Sequence, residues 1–276
     1  MDREMPRDTH YIPPLTPPLP GAAGVMCPGV VAFAGSGPGD ADLLTLKVLK
    51  ALREADVVLY DRLVSDEIMA LAHDDAILED VGKEGFGPSM AQEEICARLV
   101  YHAKRGLKVL RLKSGDPTIF GRLDEELSAC EAADVDTQIF PGITAASAAV
   151  AAIGQSLTQR GRNSSVRFLT GHDMKGFADH DWAQLARPGE VAAVYMGKKS
   201  ARFVQGRMLM HGADRTTPVT VVENASRADQ RVLATTLDQL PADLAAARFA
   251  GPALTFLGLA PRAASAAHTE IQMELA

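Results

Sequence analysis

From Val30 onward the chain alternates short β-branched runs with longer segments of helical periodicity, and glycine-bearing turns stand between them. A strand–helix–strand unit buries its apolar surface only by laying the helix across a sheet. This rhythm therefore commits the chain to an α/β architecture. Runs at 30–34, 57–60, 76–81, 108–112 and 136–140 read as strands. Apolar residues at Leu43, Leu44, Leu46, Val48, Leu49 and Leu52, and segments 91–105 and 119–133, read as helices between them. Pro141-Gly142 punctuates the chain, and an alanine-rich helix is expected over 144–153. The rhythm then resumes, with strands at 166–170, 191–196, 219–223, 231–236 and 253–258 and helices at 201–211 and 241–247. The expectation is a two-lobed α/β fold, with lobes at 25–140 and 141–262. Each lobe is expected to be a mostly parallel sheet flanked by helices.

The ends differ from this pattern. Six of the first 20 residues are proline, interspersed with charges, which fits neither an apolar secretory signal nor an acid-poor presequence. A disordered tail is expected over 1–24 and a polar one over 263–276. A net charge of −7 argues against a nucleic-acid binder, which would carry clustered excess cations. The apolar stretch 145–154 is too short to span a bilayer. Cys27, Cys96 and Cys130 are widely spaced and give neither a disulfide framework nor a zinc site, which suits a reducing, cytoplasmic setting. The seven histidines show no ligand spacing, so no metal is expected.

Gly35-Ser36-Gly37-Pro38-Gly39-Asp40 joins the first strand to the first helix. Glycine permits positive φ and close approach of a ligand to the backbone, and Asp40 suits a cap. A tight turn without a ligand satisfies the same pattern. A nicotinamide oxidoreductase is the competing reading, because Asp61 ends the next strand where a ribose-binding acid belongs. Against it, Asp40 stands at the third glycine position, facing any pyrophosphate, and Pro38 lacks a donor that an anion cradle uses. No Walker loop occurs, since Gly197-Lys198-Lys199-Ser200 lacks the first glycine. A loop poor in phosphate-binding features suits a ligand without phosphate, such as S-adenosylmethionine.

Further loops follow strand ends, where open α/β sheets hold ligands. They are Arg111-Leu112-Lys113-Ser114-Gly115-Asp116-Pro117-Thr118-Ile119-Phe120-Gly121-Arg122, Pro141-Gly142-Ile143-Thr144-Ala145-Ala146, Tyr195-Met196-Gly197, and Val222-Glu223-Asn224-Ala225-Ser226 with Asp229-Gln230-Arg231. With these motifs in this order, the chain resembles the uroporphyrinogen-III C-methyltransferases of the tetrapyrrole methylase family over about 30–259. The resemblance implies S-adenosyl-L-methionine in a cleft between the lobes, leaving as S-adenosyl-L-homocysteine, and no metal. It further implies two methyl transfers to uroporphyrinogen III, giving precorrin-2 for siroheme, cobalamin or haem d1, and a homodimer. The family's cofactor roles fall on Pro38, Ser114, Gly115, Asp116, Ile119, Thr144, Ala145, Met196 and Ala225. For each of these an ordinary turn, cap or packing role is the alternative. Three positions depart from the family pattern: Ser114 and Ala225 each replace a glycine, and Gln159 replaces a histidine, so no acid–base role is assigned to Gln159.

Asp61 matches the family's proton acceptor and Lys83 its donor. On residue type alone, the alternative for Asp61 is a helix cap or an ion pair with Arg62, and Lys83 is equally a carboxylate binder. The implied substrate carries eight carboxylates. Lys83, Arg111, Lys113, Arg122, Arg160 and Arg162 all lie in or beside the motif loops and together suit such an anion. Rival expectations are a later precorrin methyltransferase of the same fold, the oxidoreductase above, and a silent cofactor-binding regulator. The dehydrogenase–chelatase region of fused siroheme synthases is not recognised, so later steps are expected to fall to other proteins.

Overall fold

The structure is a computed structural model and describes residues 24–82 and 90–263. Residues 1–23 and 264–276 of the expected tails, together with Lys83, lie outside the described residues. In chain order the first half contains β1 (Val31–Gly35), α1 (Leu46–Glu54), β2 (Val57–Tyr60), α2 (Asp66–Met69), β3 (Ile77–Asp80), α3 (Gln92–Lys104), β4 (Val109–Lys113), α4 (Leu123–Ala132) and β5 (Thr137–Phe140). The five strands form one sheet in the order β3-β2-β4-β1-β5, with every pairing parallel. β1 and β4 are buried throughout, which is why β1 reads as an unbroken apolar run.

Alternation along the strands sends successive side chains to opposite faces. Ala32, Ala34, Val58, Leu110 and Leu112 meet Val48 and Leu52 of α1 and Ile68 of α2. Val31, Phe33, Leu59 and Val109 meet Ile95 and Leu99 of α3 and Leu123 and Cys130 of α4.

Two helix starts differ from expectation. The first helical pattern splits into a 3₁₀ turn at Ala41–Leu43, capped by Asp40 through Asp42 N at 2.8 Å, and α1, capped by Thr45 through Val48 N at 3.3 Å. α4 begins at Leu123 rather than near 119. Phe120 and Arg122 both sit at φ 52°, a left-handed backbone that a right-handed helix does not continue.

The second half contains α5 (Ala145–Ala152), β6 (Arg167–Thr170), β7 (His172–Asp173), β8 (Gly176–Phe177), α6 (Trp182–Leu185), β9 (Ala192–Tyr195), α7 (Ala201–Met210), β10 (Pro218–Glu223), β11 (Arg231–Thr236), α8 (Leu240–Ala247) and β12 (Ala253–Leu257). The β7–β8 hairpin and the single-turn helices α2 and α6 are too short to leave a periodic signal.

The expectation of a mostly parallel second sheet is corrected. Its order is β11-β10-β12-β9-β6, and only β6 with β9 is parallel. β10 and β11 are joined by a short loop at 224–230, and a hairpin of that length reverses direction. The helical crossovers β9–α7–β10 and β11–α8–β12 each join like-directed strands, as the rhythm implied. They interleave, however, so each strand's neighbour belongs to the opposite set.

α5 packs against this second sheet. Ala146 and Ala149, both fully buried, let its backbone lie close to Val191, Ala193, Leu254 and Phe256.

Candidate active site

β1, β2, β4 and β5 point their C-terminal ends the same way, and the ends of β6, β9 and β10 face them from the second sheet. Between the two sets lies a cavity of about 700 Å³. Because β12 runs against its neighbours, it contributes its N-terminal end, Pro252–Leu254, to the same wall.

The floor depends on three glycines. A Cβ on Gly35 would lie 2.5 Å from Gly115 O, and one on Gly142 would lie 2.2 Å from that oxygen. The ends of β1, β4 and β5 therefore pack backbone to backbone. Gly37 and Gly115 exchange hydrogen bonds across this junction, at 3.1 and 2.7 Å. Asp116 clasps the adjoining loops: Oδ1 accepts from Thr118 N at 2.8 Å and Oδ2 from Gly142 N at 3.1 Å.

Strained backbone gathers here as well. Among the described residues seven non-glycines have positive φ, and four of them (Phe120, Arg122, Met196 and Asn224) line the cavity. Each costs on the order of 1 kcal/mol and persists only where its surroundings over-determine it.

The cavity wall contains Pro38, Ser114, Gly115, Asp116, Ile119, Thr144, Ala145, Met196 and Ala225, with Asp61, Arg111, Lys113 and Arg122. Arg160 is exposed on a turn outside the wall, and Arg162 is tied to its own loop through Ser156 O at 2.9 Å and Leu157 O at 3.2 Å. Asp40 spends a carboxylate oxygen on its 3₁₀ turn, so the glycine loop opens on no anion-ready α-helix terminus.

The cations at the end of β4 are already neutralised. Arg111 and Lys113, which alternate toward α4, are 2% and 4% exposed. Arg111 Nη2 donates to Asp61 Oδ1 at 2.6 Å, and both Arg111 Nε and Lys113 Nζ donate to Glu126 Oε1, at 3.2 and 2.8 Å. Burial, aided by the Arg111 charge, pulls the Lys113 ammonium below its usual range against the opposing pull of Glu126. The ion partner of Asp61 is thus Arg111 rather than Arg62. Arg122 remains exposed, and among the described residues its one ion partner is Glu125 on its own helix turn at 2.6 Å.

Several residues in or behind the wall escaped the sequence reading. Tyr195 hydrogen-bonds the Thr144 hydroxyl and accepts from Ala146 N at 3.3 Å, tying the end of β9 to the start of α5, while its ring meets Phe120 of the first half at 5.1 Å. Burial raises its phenol above the ordinary range. Arg227 reaches across the glycine loop to Leu63 O, beside a hydrogen bond from Asp40 N to Ser226 Oγ at 3.1 Å. Its buried Nε–H has no hydrogen-bond partner among the described residues. Glu126 carried a legible signal: an acid on the Leu123–Cys130 stripe of a helix otherwise facing the core.

A family model described as Tetrapyrrole (Corrin/Porphyrin) Methylases matches residues 30–241. The siroheme synthase of Edwardsiella ictaluri is 46% identical over 237 residues, covering 86% of this chain and 51% of that protein. Siroheme synthase 1 of Serratia proteamaculans is 48% identical over 212 residues, covering 77% and 44%. The chain thus spans about half the length of these curated relatives. Among solved structures, the uroporphyrin-III C-methyl transferase of Thermus thermophilus, complexed with S-adenyl homocysteine, superposes with TM-score 0.70. It is 36% identical over 83% of this chain and 96% of that one. A cobalt precorrin-4 methyltransferase superposes with TM-score 0.75 at 28% identity, over 83% of this chain and 95% of that one.

Proposed function

The chain belongs to the tetrapyrrole methylase family, and from that premise we propose that it is a uroporphyrinogen-III C-methyltransferase forming precorrin-2 by two successive methyl transfers. The observation that carries the proposal is the cavity where the motif loops of both sheets converge, with Pro38, Gly115, Thr144, Met196 and Ala225 in one wall.

The wall suits S-adenosyl-L-methionine. It is largely apolar, it has a glycine floor that admits close backbone approach, and Arg227 keeps a donor without a partner among the described residues. When bound, this co-substrate supplies a sulfonium methyl to a carbon nucleophile. Pro38, Ser114, Gly115, Asp116, Ile119, Thr144, Ala145, Met196 and Ala225 would hold it. The chain's main contribution is alignment, worth roughly 7–11 kcal/mol when both reactants are fixed.

Asp61 is assigned the proton that the ring loses, a role typically worth about 10²–10⁴-fold, and Lys83 the proton donor. Exposed Arg122, with Arg160, is assigned to substrate carboxylates. Arg111 and Lys113, committed to Asp61 and Glu126, serve the site as internal counter-charges. A homodimer is part of the same reading, and light scattering checks it.

The test is incubation with uroporphyrinogen III and methyl-labelled S-adenosylmethionine. Two labels per tetrapyrrole support the proposal. No label, with S-adenosylhomocysteine still bound, overturns the substrate and points to a later precorrin. Asp61→Asn at full turnover removes the acceptor role. Lys83→Arg, which keeps the charge, separates proton donation from carboxylate binding.

A further inference from the structure

Glu126 is fully buried on α4, on the stripe of Leu123 and Cys130 that packs against the first sheet. A carboxylate there is costly unless paired, and apolar residues of similar volume commonly fill such a place at no loss of stability. Packing alone therefore does not account for it.

Its hydrogen bonds are lopsided. Oε1 accepts from Lys113 Nζ at 2.8 Å, Gln92 Nε2 at 3.0 Å and Arg111 Nε at 3.2 Å, while Oε2 has no hydrogen-bond partner among the described residues. Three donors on one oxygen fix the orientation of Arg111. Its Nε faces Glu126, its Nη1 faces the carbonyls of Leu59 and Leu112 at 3.4 and 3.3 Å, and Nη2 is left for Asp61 Oδ1 at 2.6 Å. A guanidinium is a rigid planar fork, so gripping one edge aims the other. Asp61 has 30% of its side chain exposed, and its carboxylate is held by that bond from Arg111.

Resting on the reading of Asp61 as proton acceptor, we infer that Glu126 is a positioning residue that aims the Asp61 carboxylate into the cavity through Arg111. Gln92 braces Glu126 from α3, and Lys113 balances its charge.

The test is a double-mutant cycle. Glu126→Leu is made together with Lys113→Met, so that the two removed charges cancel and the site stays packed, and Lys113→Met alone is the reference. Adding Glu126→Leu should lower kcat about 10²-fold, the scale of a misplacement near 1 Å. KM for uroporphyrinogen III and the affinity for S-adenosylhomocysteine should stay within about twofold. In an Asp61→Asn background the same change should cost nothing further. An equal loss in both backgrounds, or no loss in either, overturns the inference. Full turnover of Asp61→Asn alone overturns the acceptor role, and the inference with it.

A second readout needs no turnover. The Arg111 Nε–H should be protected from solvent exchange in Lys113→Met and lose that protection when Glu126→Leu is added. Retained protection overturns the positioning even where uroporphyrinogen III is not the substrate.

Discussion

Gly142→Ala tests the reasoning about the cavity floor most directly. The φ of Gly142 lies outside the left-handed region, so the added methyl group acts by contact alone. Its Cβ would lie 2.2 Å from Gly115 O and 2.7 Å from both Cα and O of Gly35, all backbone atoms that cannot rotate away. Reaching even 3.0 Å from Gly115 O requires a movement of about 0.8 Å. That movement stretches the 3.1 Å bond from Gly37 N to Gly115 O and the 3.1 Å bond from Gly142 N to Asp116 Oδ2. Two weakened hydrogen bonds at about 1 kcal/mol each and about 1–3 kcal/mol of overpacking give a loss of about 3–5 kcal/mol. For a protein of this size that lowers the melting temperature by roughly 6–20 °C. The loops carrying Gly115-Asp116 and Thr144-Ala145 move with it, so calorimetric affinity for S-adenosylhomocysteine should fall at least about tenfold. Gly206→Ala, inside α7 with nothing within 4 Å of the added Cβ, is the control. It should stabilise by about 0.5–1 kcal/mol and leave binding unchanged. A Gly142→Ala protein that melts within about 2 °C of the parent would refute the close-packed floor.

Tyr195→Phe strips the partner from the Thr144 hydroxyl and from Ala146 N, so denaturant titration should show a loss of about 1–3 kcal/mol. Arg122→Ala removes an ion pair whose two side chains are 52% and 51% exposed, and stability should change by less than about 1 kcal/mol. KM for the polycarboxylate should nevertheless rise several-fold, more at low salt, and an unchanged KM removes Arg122 from the substrate side. Burial pushes the Cys130 thiol from an ordinary 9.0 up to about 11. A folded-state pKa above the unfolded one supplies stability that is fully present below about pH 9 and lost as pH rises toward 11. Over that window the parent should lose up to about 2.7 kcal/mol more than Cys130→Ala, and identical pH–stability curves would contradict the shift.

The positions of strands and helices were legible because buried parallel strands leave unbroken apolar runs and their helices a 3.6-residue stripe. β2 falls on the residues expected, as does the antiparallel edge strand β11, while α3 is one residue shorter at each end and α7 one shorter at its C-terminal end. The glycine-bearing loops were legible too, since a backbone that must pack against backbone tolerates no side chain, as at Gly35 and Gly142, and a left-handed turn favours glycine, as at Gly115 with φ 68°. Strand direction in the second sheet was not. Alternation of strand and helix says that two joined strands run alike; it does not say which foreign strand slips between them, and β12 between β9 and β10 is a choice made across more than 30 residues. Nor did the charges declare their partners. Arg111, Lys113 and Arg122 look equivalent along the chain, yet strand alternation and the placing of α4 turn the first two inward onto Glu126 and leave the third outside. Local chemistry alone determined the elements and the loops between them. Which cation is buried against a carboxylate and which stays in solvent was decided only when distant segments packed, because desolvation depends on neighbours that residue spacing does not encode.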